Sequence, residues 1–127
     1  MPVVALDANA LMMPVELDVR VFDELDRLLP GADLVTPRAV LTELSRLADG
    51  GSREARAARV GRDLARDRCR IIDSEADNGD DALVDLARSG AVDYVVTNDG
   101  PLRERLQTVG VPVVGLRGTN TLAIARP

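Results

Sequence analysis

Carboxylates are the residues of this chain whose placement could do chemistry. Asp7 closes the apolar run Val3-Val4-Ala5-Leu6 and precedes Ala8-Asn9; Glu43 sits in Thr42-Glu43-Leu44-Ser45-Arg46-Leu47; Asp80-Asp81 open an apolar-periodic stretch; Asp99 follows Tyr94-Val95-Val96-Thr97-Asn98. Like charges a few ångströms apart repel and raise one another's pKa unless a cation neutralises them. Several carboxylates without His or a thiolate cluster select a hard, oxygen-loving cation, Mg2+ or Mn2+, over Zn2+. Such a cation suits a phosphate substrate. It can lower the pKa of bound water, orient it in line with phosphorus and stabilise the leaving oxygen, so no protein nucleophile is needed.

Composition removes most competing chemistries. The chain has no His and all 16 of its basic residues are Arg. Without His there is no Ser-His-Asp triad and no imidazole metal site, and without Lys no P-loop and no Schiff base. Cys69, the one cysteine, cannot form an internal disulfide. No signal-like segment or long apolar span is evident, so a soluble, cytoplasmic protein without membrane contact is expected. The net charge of −5 argues against a general nucleic-acid coat but leaves room for a local acidic metal site. An acidic surface with Arg in place of Lys fits a GC-rich genome, and it would also suit a high-salt cytoplasm. At 127 residues, one domain with one aliphatic core is expected, Phe22 and Tyr94 being the only aromatic residues.

The elements that must position the acids follow from apolar spacing. Val3 to Asp7 is too short and too uniformly apolar for a helix and reads as a strand buried on both faces. Asp7-Ala8-Asn9 with the later Pro14 reads as turn chemistry. Glu16 to Leu29 has a helical period ended by Pro30-Gly31, and Asp33 to Thr36 is a strand. Thr36 is expected to cap, and Pro37 to open, a helix from Arg38 to Asp49 that Gly50-Gly51 stops. Ser52 to Arg68 is a helix with a weak apolar face of Ala57, Val60, Leu64 and Ala65. Then come a strand Arg70 to Asp73, a loop Ser74 to Gly79, a helix Asp80 to Ser89, a strand Asp93 to Thr97, a turn Asn98 to Pro101, a helix Leu102 to Val109 and a strand Val111 to Val114. The tail Gly118 to Ile124 offers a further edge strand. This rhythm predicts an α/β sandwich around a mainly parallel, twisted sheet of about five strands.

In such a sheet, strand ends and the starts of the following helices share one edge, so Asp7, Asp80, Asp81 and Asp99 should converge. Each has an ordinary structural role to set against this. Asp7 and Asp99 suit turns or helix caps, and acids in a first helical turn are stabilised by free N–H groups. Glu43 lies about a quarter turn from the centre of its helix's apolar stripe, where it can be a solvated residue or reach the core's rim. The helical wheel sets Asp80 nearer the apolar flank than Asp81.

Taken together these residues resemble PIN-domain nucleases, over nearly the whole chain and in order. The family's four acids match Asp7 in Leu-Asp-Ala-Asn, Glu43 in Thr-Glu-Leu-Ser-Arg-Leu, Asp81 in Asp-Asp-Ala-Leu-Val-Asp-Leu-Ala, and Asp99 in Val-Thr-Asn-Asp. The resemblance implies a PIN-like, Rossmann-like three-layer fold and a metal-dependent endoribonuclease. It makes Asp7, Glu43, Asp81 and Asp99 the metal-binding and catalytic acids, with Asn9 and Thr97 as supporting polar groups and Asp80 in reserve for Asp81. Stand-alone archaeal PIN proteins are the most similar, and these are similar both to small-subunit rRNA-processing nucleases and to VapC toxins. A ribosome-assembly partner or an antitoxin is implied accordingly, and a homodimer is expected. Gly100-Pro101 departs from the charged pair of many relatives.

RNA needs cations beside the acids. Arg38, Arg103 and Arg105 sit at helix starts near the acidic edge and are the expected phosphate contacts. Arg59, Arg62 and Arg66 share one face of their helix, opposite the apolar one. They read as a solvated surface with Arg59 paired to Asp63. Other folds fit poorly: a receiver domain needs a Lys, and a haloacid-dehalogenase-type phosphatase needs an Asp where Asn9 stands. The alternative from another class is a catalytically silent PIN-like module that only binds RNA or protein. Crowded like charges favour the enzyme.

Overall fold

A computed structural model describes residues 1–127. In chain order it comprises β1 (Val3–Leu6), α1 (Ala8–Glu16), α2 (Val21–Leu28), β2 (Asp33–Pro37), α3 (Arg38–Leu47) and α4 (Arg53–Arg68). These are followed by β3 (Arg70–Ile72), α5 (Gly79–Arg88), β4 (Tyr94–Val96), α6 (Gly100–Thr108), β5 (Val113–Arg117) and β6 (Thr121–Ala125). The strands form one sheet in the order β3-β2-β1-β4-β5-β6, parallel throughout except for the antiparallel edge strand β6. The tail therefore makes the sheet six-stranded rather than five. No helix is long and apolar enough to cross a membrane.

Val4, Ala5 and Leu6 are all fully buried. Successive strand residues point to opposite faces, so β1 is covered on both sides, and this accounts for its unbroken apolar run. The chain winds from β1 outward to β2 and β3, then returns to place β4 on the other side of β1. That reversal opens a crevice at the carboxyl ends of β1 and β4, the usual place for a site in an open α/β sheet. Leu6 pairs with Val96, so Asp7 and Thr97 emerge side by side.

Three local expectations are corrected. Residues 8–16 form a helix rather than a turn. Asp7 caps it by accepting from the Ala10 N–H at 2.7 Å, and Pro14 lies inside it. Ala8, Ala10, Leu11, Met12 and Met13 are all buried, so α1 lacks the polar face that marks an amphipathic helix, and Pro14 discourages a helical reading. Thr36 does not cap α3. Its hydroxyl crosses to the neighbouring strand and donates to the Leu6 carbonyl at 2.8 Å. Finally, Arg59 does not pair with Asp63: its guanidinium donates to the Ala48 and Gly50 carbonyls at 2.9 and 2.8 Å, closing the free C-terminal end of α3.

The buried face of α4 is built from Ala55, Ala57, Ala58, Gly61 and Ala65. Small side chains let it lie close on α1: a Cβ at Gly61 would stand 2.7 Å from the Leu11 carbonyl oxygen. The Ala stripe is thus covered within the chain, which leaves the half-buried Val60 and Leu64 as the remaining apolar surface of this helix.

Candidate active site

A polar cavity of about 280 Å³ lies at the crevice, lined by Asp7, Ala8, Asn9, Val40, Glu43, Gly79, Asp80 and Asp99. Four carboxylates from four separate stretches of chain therefore face one space, at the strand-end edge where the sequence placed them.

Asp7 is the most deeply set, at 4% exposure. Besides capping α1, its carboxylate accepts a hydrogen bond from the hydroxyl of the fully buried Thr97. Thr97 in turn accepts from the Asp99 N–H at 3.0 Å, so one hydroxyl ties the two strand-end acids together. Burial pushes the Asp7 carboxyl up to about 7; its two hydrogen bonds oppose the rise, and the nearby Asp80 and Asp99 add to it. Asp99 caps α6 through the Leu102 N–H at 3.3 Å. For both residues the capping role and the cavity role coexist, since an N-cap carboxylate uses only part of its acceptor capacity.

Glu43 enters from α3, half-buried. Desolvation and the charge of Asp80 raise its pKa, while Arg46, one turn along α3, lowers it. The α5 terminus supplies Asp80, whose carboxyl is likewise raised, first by desolvation and then by Asp99. Gly79 makes this approach possible. A Cβ there would meet Val40 Cγ2 at 3.0 Å and Glu43 Oε1 at 3.3 Å, so a residue without a side chain lets α5 begin this close to α3 without displacing either side chain. Sequence reasoning gave Gly79 no role beyond ending a loop; its position directly before two acids at a helix start was the available signal.

Asp81 does not line the cavity. Asn78 caps α5, its Oδ1 accepting from the Asp81 N–H at 2.9 Å and its Nδ2 donating back to the Asp81 carboxylate at 2.9 Å, a reciprocal arrangement like a capping box. Arg105 from α6 holds the other carboxylate oxygen at 2.8 Å. These partners keep the Asp81 carboxyl below its ordinary value. The preference for Asp81 over Asp80 as the acid facing the cavity is therefore reversed, because Asp81 is taken up by the helix cap and by Arg105.

Asn9 lines the cavity, and its Oδ1 accepts from the Asn98 N–H at 3.0 Å; Asn98 Oδ1 accepts from the Leu116 N–H at 3.3 Å. This relay fixes the β4–α6 loop against α1 and β5. Of the three cations expected to contact RNA, Arg38 pairs with Asp73 at 2.8 Å and Arg105 with Asp81. Arg103 instead rests over Gly115, where a Cβ would stand 3.2 Å from its Nη1.

The donor set fits a hard divalent cation: four carboxylates, with no nitrogen or sulfur ligand among them. The acids line the cavity wall without three of them closing into a ligand shell. Mutual repulsion opposes closer approach until charge is neutralised.

Comparison with known proteins identifies the fold. A family model described as a PIN like domain matches residues 4–119. The solved structure of the PIN domain endonuclease Utp24 is 20% identical, with 98% of this chain and 92% of that one covered at a TM-score of 0.80. A domain of a functionally unknown protein from Methanocaldococcus jannaschii DSM 2661 is 15% identical, with 93% of each chain covered at a TM-score of 0.63. Identities this low speak for the shared fold alone. No curated protein matches the sequence.

Proposed function

This chain belongs to the PIN-like domain family, and on that footing we propose that it is a divalent-metal-dependent endoribonuclease whose active site is the cavity bounded by Asp7, Glu43, Asp80 and Asp99. The observation that carries the reading is the gathering of four carboxylates around one space with no cationic side chain lining it. A scaffold gains nothing from such crowding.

Asp7, Glu43, Asp80 and Asp99 would hold Mg2+ or Mn2+. When bound, the ion supplies an activated water and charge stabilisation at phosphorus. The residues of the chain do the positioning. Ala10 N–H and Thr97 orient the Asp7 carboxylate, and Leu102 N–H orients that of Asp99. Asn9 keeps its Oδ1 on Asn98 and so presents its NH2 group as a donor toward a phosphate oxygen. Arg103 offers a guanidinium to the phosphate chain beside the acids. Arg38 and Arg105, engaged with Asp73 and Asp81, set helix positions before they meet substrate. In the reaction, water adds to phosphorus, the bond to the leaving ribose oxygen breaks, and that oxygen takes up a proton.

The RNA belongs to ribosomal processing or to toxin-type cleavage; a small antitoxin gene directly upstream would assign the second. The test is cleavage of single-stranded and structured RNA by the purified protein with Mn2+ or Mg2+, with Asp7→Asn and Asp80→Asn as inactive partners. If no RNA is cut, and Asp7→Asn changes neither metal binding nor cellular phenotype, the chain is a silent binding module instead.

A further inference from the structure

A shallow groove runs between the end of α3 and the middle of α4, lined by Ser45, Arg46, Ala48, Asp49 and Arg62. Arg62 is only 26% exposed, and its Nε is buried with no hydrogen-bond partner. The carboxylate beside it, Asp63, stands 4.0 Å away and points largely into solvent. That separation is too long for a hydrogen bond. The Arg62 guanidinium therefore has no close counter-charge from the chain, and its exposed part is open to an acceptor from outside. Arg46 is exposed and takes part in no ion pair. It lies one turn beyond Glu43 on α3, near enough for its charge to act on that carboxyl, so the groove borders the helix that forms one wall of the acid cavity. Arg59, tied to the Ala48 and Gly50 carbonyls, holds the end of α3 against α4 and so fixes the groove's floor. Asp49 is the one acid in the lining, and it is exposed and paired with neither Arg.

Resting on the nuclease reading, we propose that this groove is a phosphate subsite, in which Arg62 and Arg46 hold the backbone of single-stranded RNA leading away from the acid cavity. Guanidinium forks match phosphate oxygens, and the Ser45 hydroxyl adds a neutral donor. With two aromatic residues in the chain, backbone charge rather than base stacking must supply the hold. The subsite is accordingly indifferent to sequence and sensitive to salt.

The test is fluorescence anisotropy of a labelled 15-nucleotide oligouridine in Mg2+ buffer, over a range of KCl, with the full chain carrying Asp7→Asn so that the probe stays intact. Two lost phosphate contacts lower the slope of log affinity against log salt by about 1.4, which at ~0.1 M salt is roughly a 25-fold loss of affinity. Arg46→Gln with Arg62→Gln should show that loss, Arg62→Lys should retain most of the slope, and the remote Arg20→Gln should match the parent. Arg46→Glu, at an exposed position that folding does not require, gives the same answer should Arg62 variants unfold. A trinucleotide, too short to reach the groove, should bind all variants alike.

An unchanged slope in the double variant and in Arg46→Glu overturns the subsite. So does an absence of RNA binding at every salt concentration, or unchanged RNA binding together with saturable binding of an acidic peptide. Cleavage by the otherwise wild-type protein separates the two readings. Cutting with no groove effect removes only the subsite, whereas a groove effect without cutting removes the nuclease.

Discussion

Asp7→Asn should make the metal-free protein more stable while abolishing its cleavage. The Asp7 carboxyl is raised from 3.8 to about 7 in the folded chain, chiefly by burial. A carboxyl with a raised folded-state pKa binds more protons folded than unfolded between those two values, so its contribution to stability falls as pH rises across that window. Above pH ~7 the full cost is present, on the order of 4 kcal/mol at ~1.4 kcal/mol per unit. Asn keeps an oxygen for the Ala10 N–H, but it forces the Thr97 hydroxyl to accept rather than donate, which takes back about 1–2 kcal/mol. A net gain of ~2–3 kcal/mol is expected at pH 8, corresponding to a rise in Tm of roughly 6–12 °C for a chain of this size. At pH 4.5 the ionic part of the difference should shrink to roughly a quarter of its high-pH value. Thermal melts in EDTA at pH 4.5, 6 and 8 check this. Adding Mn2+ should raise the Tm of the parent at pH 8, because binding to the folded state alone stabilises it, and should raise that of the variant much less. A variant no more stable than the parent in EDTA at pH 8, or a difference that does not narrow on acidification, would refute the account of Asp7 as a buried charge awaiting a cation.

Two glycines give further tests. Gly61→Ala places a Cβ 2.7 Å from a backbone carbonyl of α1, so although Ala favours helix by ~1 kcal/mol, the forced separation of α1 and α4 should leave a net loss of about 1–2 kcal/mol. Urea unfolding measures it against Gly51→Ala, where nothing lies within 4 Å and little change is expected; equal stabilities would show that the two helices adjust freely. Gly79→Ala presses on Val40 and Glu43 across the cavity, so it should lower Mn2+ affinity and cleavage several-fold with less than about 1 kcal/mol lost in stability. Calorimetric titration with Mn2+ is the check, and unchanged affinity would remove Gly79 from the site.

The parts of this fold that could be read from sequence are those governed by near neighbours. Very short apolar runs bounded by turn residues, such as Val3 to Leu6 and Tyr94 to Val96, read as strands in the interior of a sheet, and parallel winding then puts Asp7 and Asp99 at one edge. What could not be read depends on partners far along the chain. Asp80 and Asp81 are adjacent in one helical turn, and the choice between them is made by Arg105, twenty-four residues on, together with the Asn78 cap. Helix α1 escaped notice because α4 covers it so completely that no polar face remains, and Gly61 is required only where Leu11 passes. The same dependence bears on catalysis. Asp7 and Asp99 begin two helices and are joined through Thr97, so the acids are oriented by the hydrogen bonds that start α1 and α6 rather than by a mobile loop. Orientation fixed in this way places repelling charges together before any cation arrives. Asp7, the most buried of them and the first acid in the chain, carries most of that cost, and it is where neutralisation by a cation should be felt most strongly.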